Sequence, residues 1–337
     1  MGSVKDLIIV EPPSADKPGI GRFVFSDRYS VFDWGEMPDH ISRKGEAICL
    51  ATAYFFEKLE ALGFKTHYLG LVADGKVRRL SELKEPVAAM EIKLLRVIRP
   101  KLINGKYDYS VYQEVKNNLL IPLEIIYRNS LPAGSSVFKR LKEGSLKLED
   151  IGLDSMPVPG QILEKPIYDV STKLEVTDRY ISWSEAKDIC YLSDEELEQM
   201  KTIVATVNKL ITEEARRIGL FNEDGKIELG FDENRQFVII DALGTLDECR
   251  FTYEGLPVSK EIARLFYRQT DWYKEVETAK SLDRINWKSR VQNPPPPLPR
   301  EILEAVSQIY QAYTNELTGR QWFDVPPLKD ILKKFKE

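Results

Sequence analysis

IPLEIIYRNSLPAGSSVFKR, residues 121–140, is the stretch on which the reading of this chain turns. Leu123, Ile125 and Tyr127 alternate with Glu124, Ile126 and Arg128, a period of two that predicts a short strand with one buried face, ending at a charged residue. Asn129, Pro132 and Gly134 then break the strand. Ser135 and Ser136 offer hydroxyls and open backbone N–H groups, and Lys139 and Arg140 close the segment with positive charge. These are the parts that hold a phosphate monoester: a planar Arg fork, small hydroxyl donors, and amides that small side chains leave accessible. A solvated strand-turn-helix connection with surface basic residues has the same composition, so the stretch alone leaves both readings open.

Composition narrows the partners. The 337 residues are 43% hydrophobic and 30% charged, enough for a large core and two lobes. A net charge of −5 argues against a nucleic-acid surface spread over the molecule, yet allows a local basic pocket, so small anionic substrates are the expected partners. Cys49, Cys190 and Cys249 are odd in number, widely separated and without metal-ligand spacing, which points to a reducing cytoplasm. With only His40 and His67, little supports a His-based triad or a His-rich metal centre. Neither a signal peptide nor a membrane span is expected, because the longest nearly apolar run, Ala47 to Phe56, falls far below the ~20 residues of a spanning helix.

Working outward, Gly2 to Val10 reads as a strand entered through a small-residue turn, and a Pro/Gly/Asp-rich turn from Glu11 to Gly21 leads to its hairpin partner at Arg22–Phe25. Ser26-Asp27-Arg28-Tyr29-Ser30-Val31-Phe32-Asp33 and Ile41-x-x-Lys44-Gly45 precede a helix, since Ile48, Ala51, Phe55, Leu59 and Leu62 recur at helical spacing and Gly63 stops it. Lys44 is then expected near that helix's N-terminus, where N–H groups and dipole favour an anion. Val87 to Val97 reads as a buried strand, Lys101 to Asn118 as a polar insertion without chemistry, and Leu146 to Pro166 as an irregular loop. Ser193, with Glu196 three residues later, caps a long helix ending near Gly219.

A second informative stretch follows. Asp224-Gly-Lys226-Ile-Glu228-Leu-Gly230 and Phe237–Asp241 make a hairpin whose alternation puts Asp224, Lys226 and Glu228 on one face, where Asp241 can meet them. Two carboxylates converging with a lysine can hold Mg²⁺ on nucleotide phosphates. Carboxylates on an exposed hairpin need no metal, so the pattern alone decides neither.

In order along the chain, these motifs resemble the SAICAR synthetase (phosphoribosylaminoimidazole-succinocarboxamide synthase) family from about Gly2 to Trp322. The resemblance is carried by Pro122-Leu123-Glu124 with Arg128-Asn129, Ala133-Gly134-Ser135 and Lys139-Arg140; by the Ser26–Asp33 and Ile41–Gly45 motifs; and by Ser171-Thr172-Lys173 with Asp178, Ile181 and Ser182. Asp224-x-Lys226-x-Glu228-x-Gly230, Asp241 with Thr245, Asp247, Arg250 and Phe251, and Lys260-x-x-x-Arg264 complete it. The chain departs from the pattern at Ser3, where the family has a lysine, at Arg179 and Tyr180, at Ala242 in place of a glutamate, and at Leu246 in place of a proline.

The resemblance implies an α+β fold of two lobes, a nucleotide-binding lobe at 1–120 and a ribotide- and aspartate-binding lobe at 121–337, with the cleft between them. It implies a cytoplasmic ligase of purine biosynthesis, dependent on ATP and Mg²⁺ and compatible with a homo-oligomer. The ligase would join L-aspartate to carboxyaminoimidazole ribotide through an acyl phosphate, with no nucleic-acid or membrane partner. It assigns Lys226 and Asp224 to catalysis, and Arg128, Ser135, Arg250, Asp33, Lys44, Arg264 and Asp178 to substrate, the ribotide phosphate falling to Arg128, Ser135 and Arg250. Lys5, Glu228 and Asp241 fall to the nucleotide, with Glu228 and Asp241 as the metal carboxylates. A divergent ligase using another carboxylate or amine, and a catalytically silent nucleotide- or ribotide-binding protein, are the alternatives at this point.

Overall fold

The computed structural model describes residues 4–335, so Gly2 and Ser3 of the amino-terminal pattern lie outside the described residues. Alternation builds the first sheet. Strands β1 (Lys5–Glu11), β2 (Gly19–Phe25), β3 (Tyr68–Ala73), β4 (Lys76–Arg78) and β5 (Ala89–Leu94) pair antiparallel in the order β1-β2-β5-β3-β4. In β2, Phe23 and Phe25 turn inward, and helix α1 (Lys44–Ala61) covers that face with Ile48, Ala51, Phe55 and Leu59. Leu62 falls at the helix C-cap and stays exposed. Gly45 allows the close approach of helix to sheet, since a Cβ there would lie 2.6 Å from the Phe25 carbonyl oxygen.

The segment read as an insertion forms a small hairpin, β6 (Lys101–Ile103) with β7 (Lys106–Asp108), and one helical turn, α2 (Val111–Glu114). Tyr109, Tyr112 and Leu119 give it a satellite core.

The second sheet is organised around the opening stretch. Strand β8 (Leu119–Leu120) precedes β9 (Leu123–Leu131), which runs on to Leu131 rather than stopping at Arg128. Asn129 therefore does not break the strand: its amide donates to the Asn208 side chain and the Asn222 carbonyl, tying β9 into the layer beneath. The turn closes into helix α3 (Ser136–Glu143), capped by Ser135. Strand β10 (Gln161–Thr172) begins inside the stretch read as a loop, followed by β11 (Tyr180–Ile181). Strands β12 (Phe221–Phe231), β13 (Phe237–Ile240), β14 (Cys249–Tyr253) and β15 (Leu256–Val258) complete the order β11-β10-β9-β12-β14-β15, with β8 and β13 pairing the far half of β12. All these strand pairings are antiparallel, which makes the fold α+β.

Helix α4 (Trp183–Cys190) leads to the long helix α5 (Asp194–Arg217), which carries the expected Ser193/Glu196 capping box and buries Met200, Val204, Val207, Ile211 and Ala215. Helices α6 (Glu261–Tyr267), α7 (Asp271–Leu282), α8 (Arg300–Thr318) and α9 (Leu328–Lys333) follow. Residues from both sheets and from α1, α5 and α8 share one apolar core. The sheets also touch through backbone, as the His67 N–H donates to the Ile239 carbonyl and the Ile239 N–H to that of Lys65, both at 3.0 Å.

Candidate active site

Strand β12 carries the site because its neighbours β9 and β14 deliver charged side chains to positions along it. Asp224 lies opposite Arg128 of β9 and Arg250 of β14. Its carboxylate accepts from Arg250 Nε at 2.7 Å and from Arg250 Nη2, and lies 3.6 Å from Arg128 Nη1. Arg128 also meets Asp169, 3.4 Å away, whose carboxylate binds Arg140. The result is a chain Arg140-Asp169-Arg128-Asp224-Arg250 with one positive charge in excess. Arg250 is its accessible end.

That end opens into a cavity of about 880 Å³ lined by Gly134, Arg250, Arg264, Arg268, Lys280, Asp33 and Glu223, among others. A Cβ on Gly134 would stand 4.0 Å from Arg250 Nη1, so the turn of the opening stretch forms the wall beside the guanidinium. Ser135 sits behind it, 3.5 Å from Arg128 Nη1. Arg264 and Arg268 share Glu261, and Lys280 meets Asp33 at 3.2 Å. Thus Asp33, Arg250 and Arg264 line one cavity, with Ser135 and Arg128 as its backing. Four cations around a concave space are suited to a phosphate-bearing ligand.

Farther along β12 the character changes. Lys226 Nζ lies 3.1 Å from Glu124, 3.4 Å from Glu248 and 3.5 Å from Glu228. Lys173 joins it, 2.5 Å from Glu228 and 3.3 Å from Glu124. Lys5, reaching across from β1, pairs with Asp241. Burial opposes charge on Lys226, but the carboxylates of Glu248, Glu228 and Glu124 outweigh it and raise the pKa, so this lysine is a fixed cation rather than a proton acceptor. Asp241 goes the other way: burial is overcome by Lys5 and Lys226, and its carboxyl is held well below the usual range. Glu228 is the poised group. Burial and then the Asp241 charge push it up to about 8 against the pull of Lys173 and Lys226. Asp178 is exposed at the edge of the cluster, its pKa raised by desolvation and by Glu124.

Among the described residues no three His, Cys, Asp or Glu side chains gather as a metal cage. Glu228 and Asp241 are a pair, and a pair fits the mode in which Mg²⁺ takes one or two carboxylates and completes its shell with phosphate and water oxygens. A cation there would also relieve the repulsion that raises Glu228.

Three expectations change. Lys44 is fully buried, 2.9 Å from Asp247 and donating to the Arg28 carbonyl, and the amides of Arg43 and Gly45 already donate to Asp27, so neither this lysine nor the α1 terminus is open to an anion. Asp224 shares a face with Lys226, but its carboxylate is engaged by Arg250 and Arg128 rather than by that lysine. Ala242, which a continued strand would point to the face opposite Asp241, does not lie on a strand. Asp241 has φ of 68°, so alternation ends at Ile240 and Ala242 turns into the main core.

Lys173, Glu248, Arg268 and Lys280 are site residues that sequence reasoning missed. Lys173 stood within the Ser171–Lys173 motif and Glu248 beside Asp247, whereas Arg268, at the C-cap of α6, and Lys280, on α7, gave no signal beyond ordinary surface charge.

The SAICAR synthetase family model matches residues 14–280. A protein of Archaeoglobus fulgidus, named provisionally as a phosphoribosylaminoimidazole-succinocarboxamide synthase, is 55% identical over 337 residues, 100% of this chain and 99% of its own. The phosphoribosylaminoimidazole-succinocarboxamide synthase of Thermoplasma acidophilum is 31% identical, with 89% of this chain and 93% of its own length covered. Among solved structures, the SAICAR synthase of Saccharomyces cerevisiae complexed with SAICAR superposes with a TM-score of 0.63 at 21% identity, covering 96% of this chain and 94% of that one. A type-2 SAICAR synthetase in complex with ADP gives 0.56 at 23% identity, covering 85% and 96%.

Proposed function

The chain belongs to the SAICAR synthetase family, and from that premise we propose that it joins L-aspartate to carboxyaminoimidazole ribotide with conversion of ATP to ADP and phosphate. The observation that supports this most is the order of the two charged regions on β12. The arginine cavity begins at Asp224 and the lysine–carboxylate cluster is centred on Lys226 and Glu228, so roughly 13 Å of strand at ~3.3 Å per residue separates their ends. That leaves room for a ribose and an imidazole between a 5′-phosphate at Arg250 and Arg264 and a carboxylate near Lys226.

A carboxylate is a poor electrophile at neutral pH. In this reading the γ-phosphoryl group of ATP passes to the ribotide carboxylate, giving an acyl phosphate and ADP. The aspartate amine then attacks the carbonyl carbon, the C–O bond to phosphate breaks, and the amine loses a proton to the medium. Lys226 and Lys173 offset the charge that collects on the transferring oxygens. Lys5 bears on the nucleotide phosphates, and Asp178 stands at the rim where an amino group would approach. Glu228 and Asp241 would hold Mg²⁺ arriving with ATP, which supplies further charge neutralisation. We carry the division into lobes at 120 and 121 as part of the proposal, and likewise a cytoplasmic setting, with which three free, buried cysteines agree.

Product analysis tests the reading. With ATP, Mg²⁺, L-aspartate and the carboxylated ribotide, the protein should release ADP and form the succinocarboxamide. ADP release with a different amine incorporated would favour a divergent ligase, and binding without turnover a silent protein.

A further inference from the structure

The polar segment Lys101–Asn118, which showed no chemistry as sequence, is fastened to the loop that presents Lys173. Strand β10 ends at Thr172, and residues 173–179 run without strand pairing. The loop's start is pinned where the Lys173 N–H donates to the Pro122 carbonyl and where Leu174 enters a small cluster with Leu95, Leu120, Val238 and Ile240. Its middle is held from outside. The Tyr109 hydroxyl donates to Glu175 at 2.7 Å, and the Val176 N–H donates to the Tyr107 hydroxyl at 2.8 Å. Glu175 has a side chain only 6% exposed, with Arg179 as its other partner at 3.3 Å. Behind Tyr109 stands Tyr112, stacked at 6.0 Å and bonded to the Ile98 carbonyl, so the donor sits on a small rigid platform.

We propose that Tyr109 and Glu175 form a positioning pair through which the 101–118 segment sets the place of Lys173 over Glu228 and Glu124. A nearly buried carboxylate is costly without donors. Without the Tyr109 hydroxyl, Glu175 keeps only Arg179 and the middle of the loop loosens at 175–176, which frees the Lys173 side chain from its place over Glu228 and Glu124 while the Lys173 backbone stays pinned at Pro122. Tyr107 and Tyr109 act through the loop, by their hydrogen bonds with Val176 and Glu175. The inference rests on the assignment of the Lys173–Glu228 cluster to the nucleotide.

The test is a double-mutant cycle on the affinity for ATP with Mg²⁺, read by titration calorimetry on the full chain so that it does not depend on turnover. Tyr109→Phe should weaken ATP about 5- to 20-fold, part of what a hydrogen bond to a charged group is worth, and leave ribotide affinity within about 2-fold. In a Lys173→Met background the same change should add nothing. Tyr112→Phe keeps the stacked ring and the Tyr109 hydroxyl and removes only the bond to the Ile98 carbonyl, so it should bind ATP as the parent does. Additive losses from Tyr109→Phe and Lys173→Met, or an equal loss from Tyr112→Phe, would overturn the positioning role while leaving the ligase reading intact. Normal ATP binding without any succinocarboxamide would overturn the ligase reading alone; absence of ATP binding would overturn both.

Discussion

Arg128 and Arg250 look interchangeable in the sequence, and the structure separates them. Arg128 is 2% exposed and bridges two carboxylates, so Arg128→Ala leaves Asp169 and Asp224 short of a partner and should cost roughly 3–5 kcal/mol of stability. A denaturant titration would show it. Arg250 faces the cavity: Arg250→Ala should raise the ribotide KM about 10- to 100-fold with ATP affinity nearly unchanged, and Arg250→Lys should recover only part, because a point charge cannot replace a fork. Glu228 gives a pH prediction. The folded chain keeps its proton up to about pH 8, whereas the unfolded chain releases it near 4.5. Between those values the unfolded state binds fewer protons, so stability falls as pH rises, at up to about 1.4 kcal/mol per unit. Glu228→Gln should flatten that slope in thermal scans across the interval, at the cost of activity. The motif residues Glu228 and Asp241 were legible as a pair, but their opposite pKa shifts were not, since these depend on burial and on Lys5 reaching Asp241 from β1 of the other sheet.

At the scale of elements, the loop from Asp241 to Glu248 makes the junction between the two charged regions. Gly244 in it has φ of 64°, and a Cβ would lie 2.2 Å from the Phe55 ring of α1. Gly244→Ala should therefore destabilise by about 2–4 kcal/mol, from overpacking and left-handed backbone strain together, and should lower the melting temperature accordingly. Asp241→Asn keeps the loop's shape but removes the carboxylate that meets Lys5, and should abolish the Mg²⁺ dependence of ATP binding in calorimetry. Ala242→Glu should damage the fold before it improves the site, because that position is core. Strands β9 and β12 and helices α1 and α5 were readable because apolar period and caps agree locally. The loop was not, because its register depends on Tyr313 donating to the Gly244 carbonyl and Tyr310 to Asp247, contacts made by a helix more than sixty residues later.

Over the whole molecule, sequence-distant segments share one task. Helix α8 packs on α1 while its tyrosines hold the 241–248 loop, and buried Lys44 closes the same network through Asp247. The two sheets and the order of motifs were foreseeable. The place of the 101–118 segment was not, since two tyrosine hydroxyls leave no periodic trace. In the proposed function the assembled molecule activates a carboxylate between an arginine pocket and a lysine–carboxylate cluster. Isotope transfer tests this most directly: the ribotide is supplied with oxygen-18 in its carboxylate, together with ATP, Mg²⁺ and L-aspartate, and the released phosphate is analysed by mass spectrometry. One labelled oxygen should pass into inorganic phosphate for each succinocarboxamide formed; unlabelled phosphate alongside product would contradict activation as an acyl phosphate.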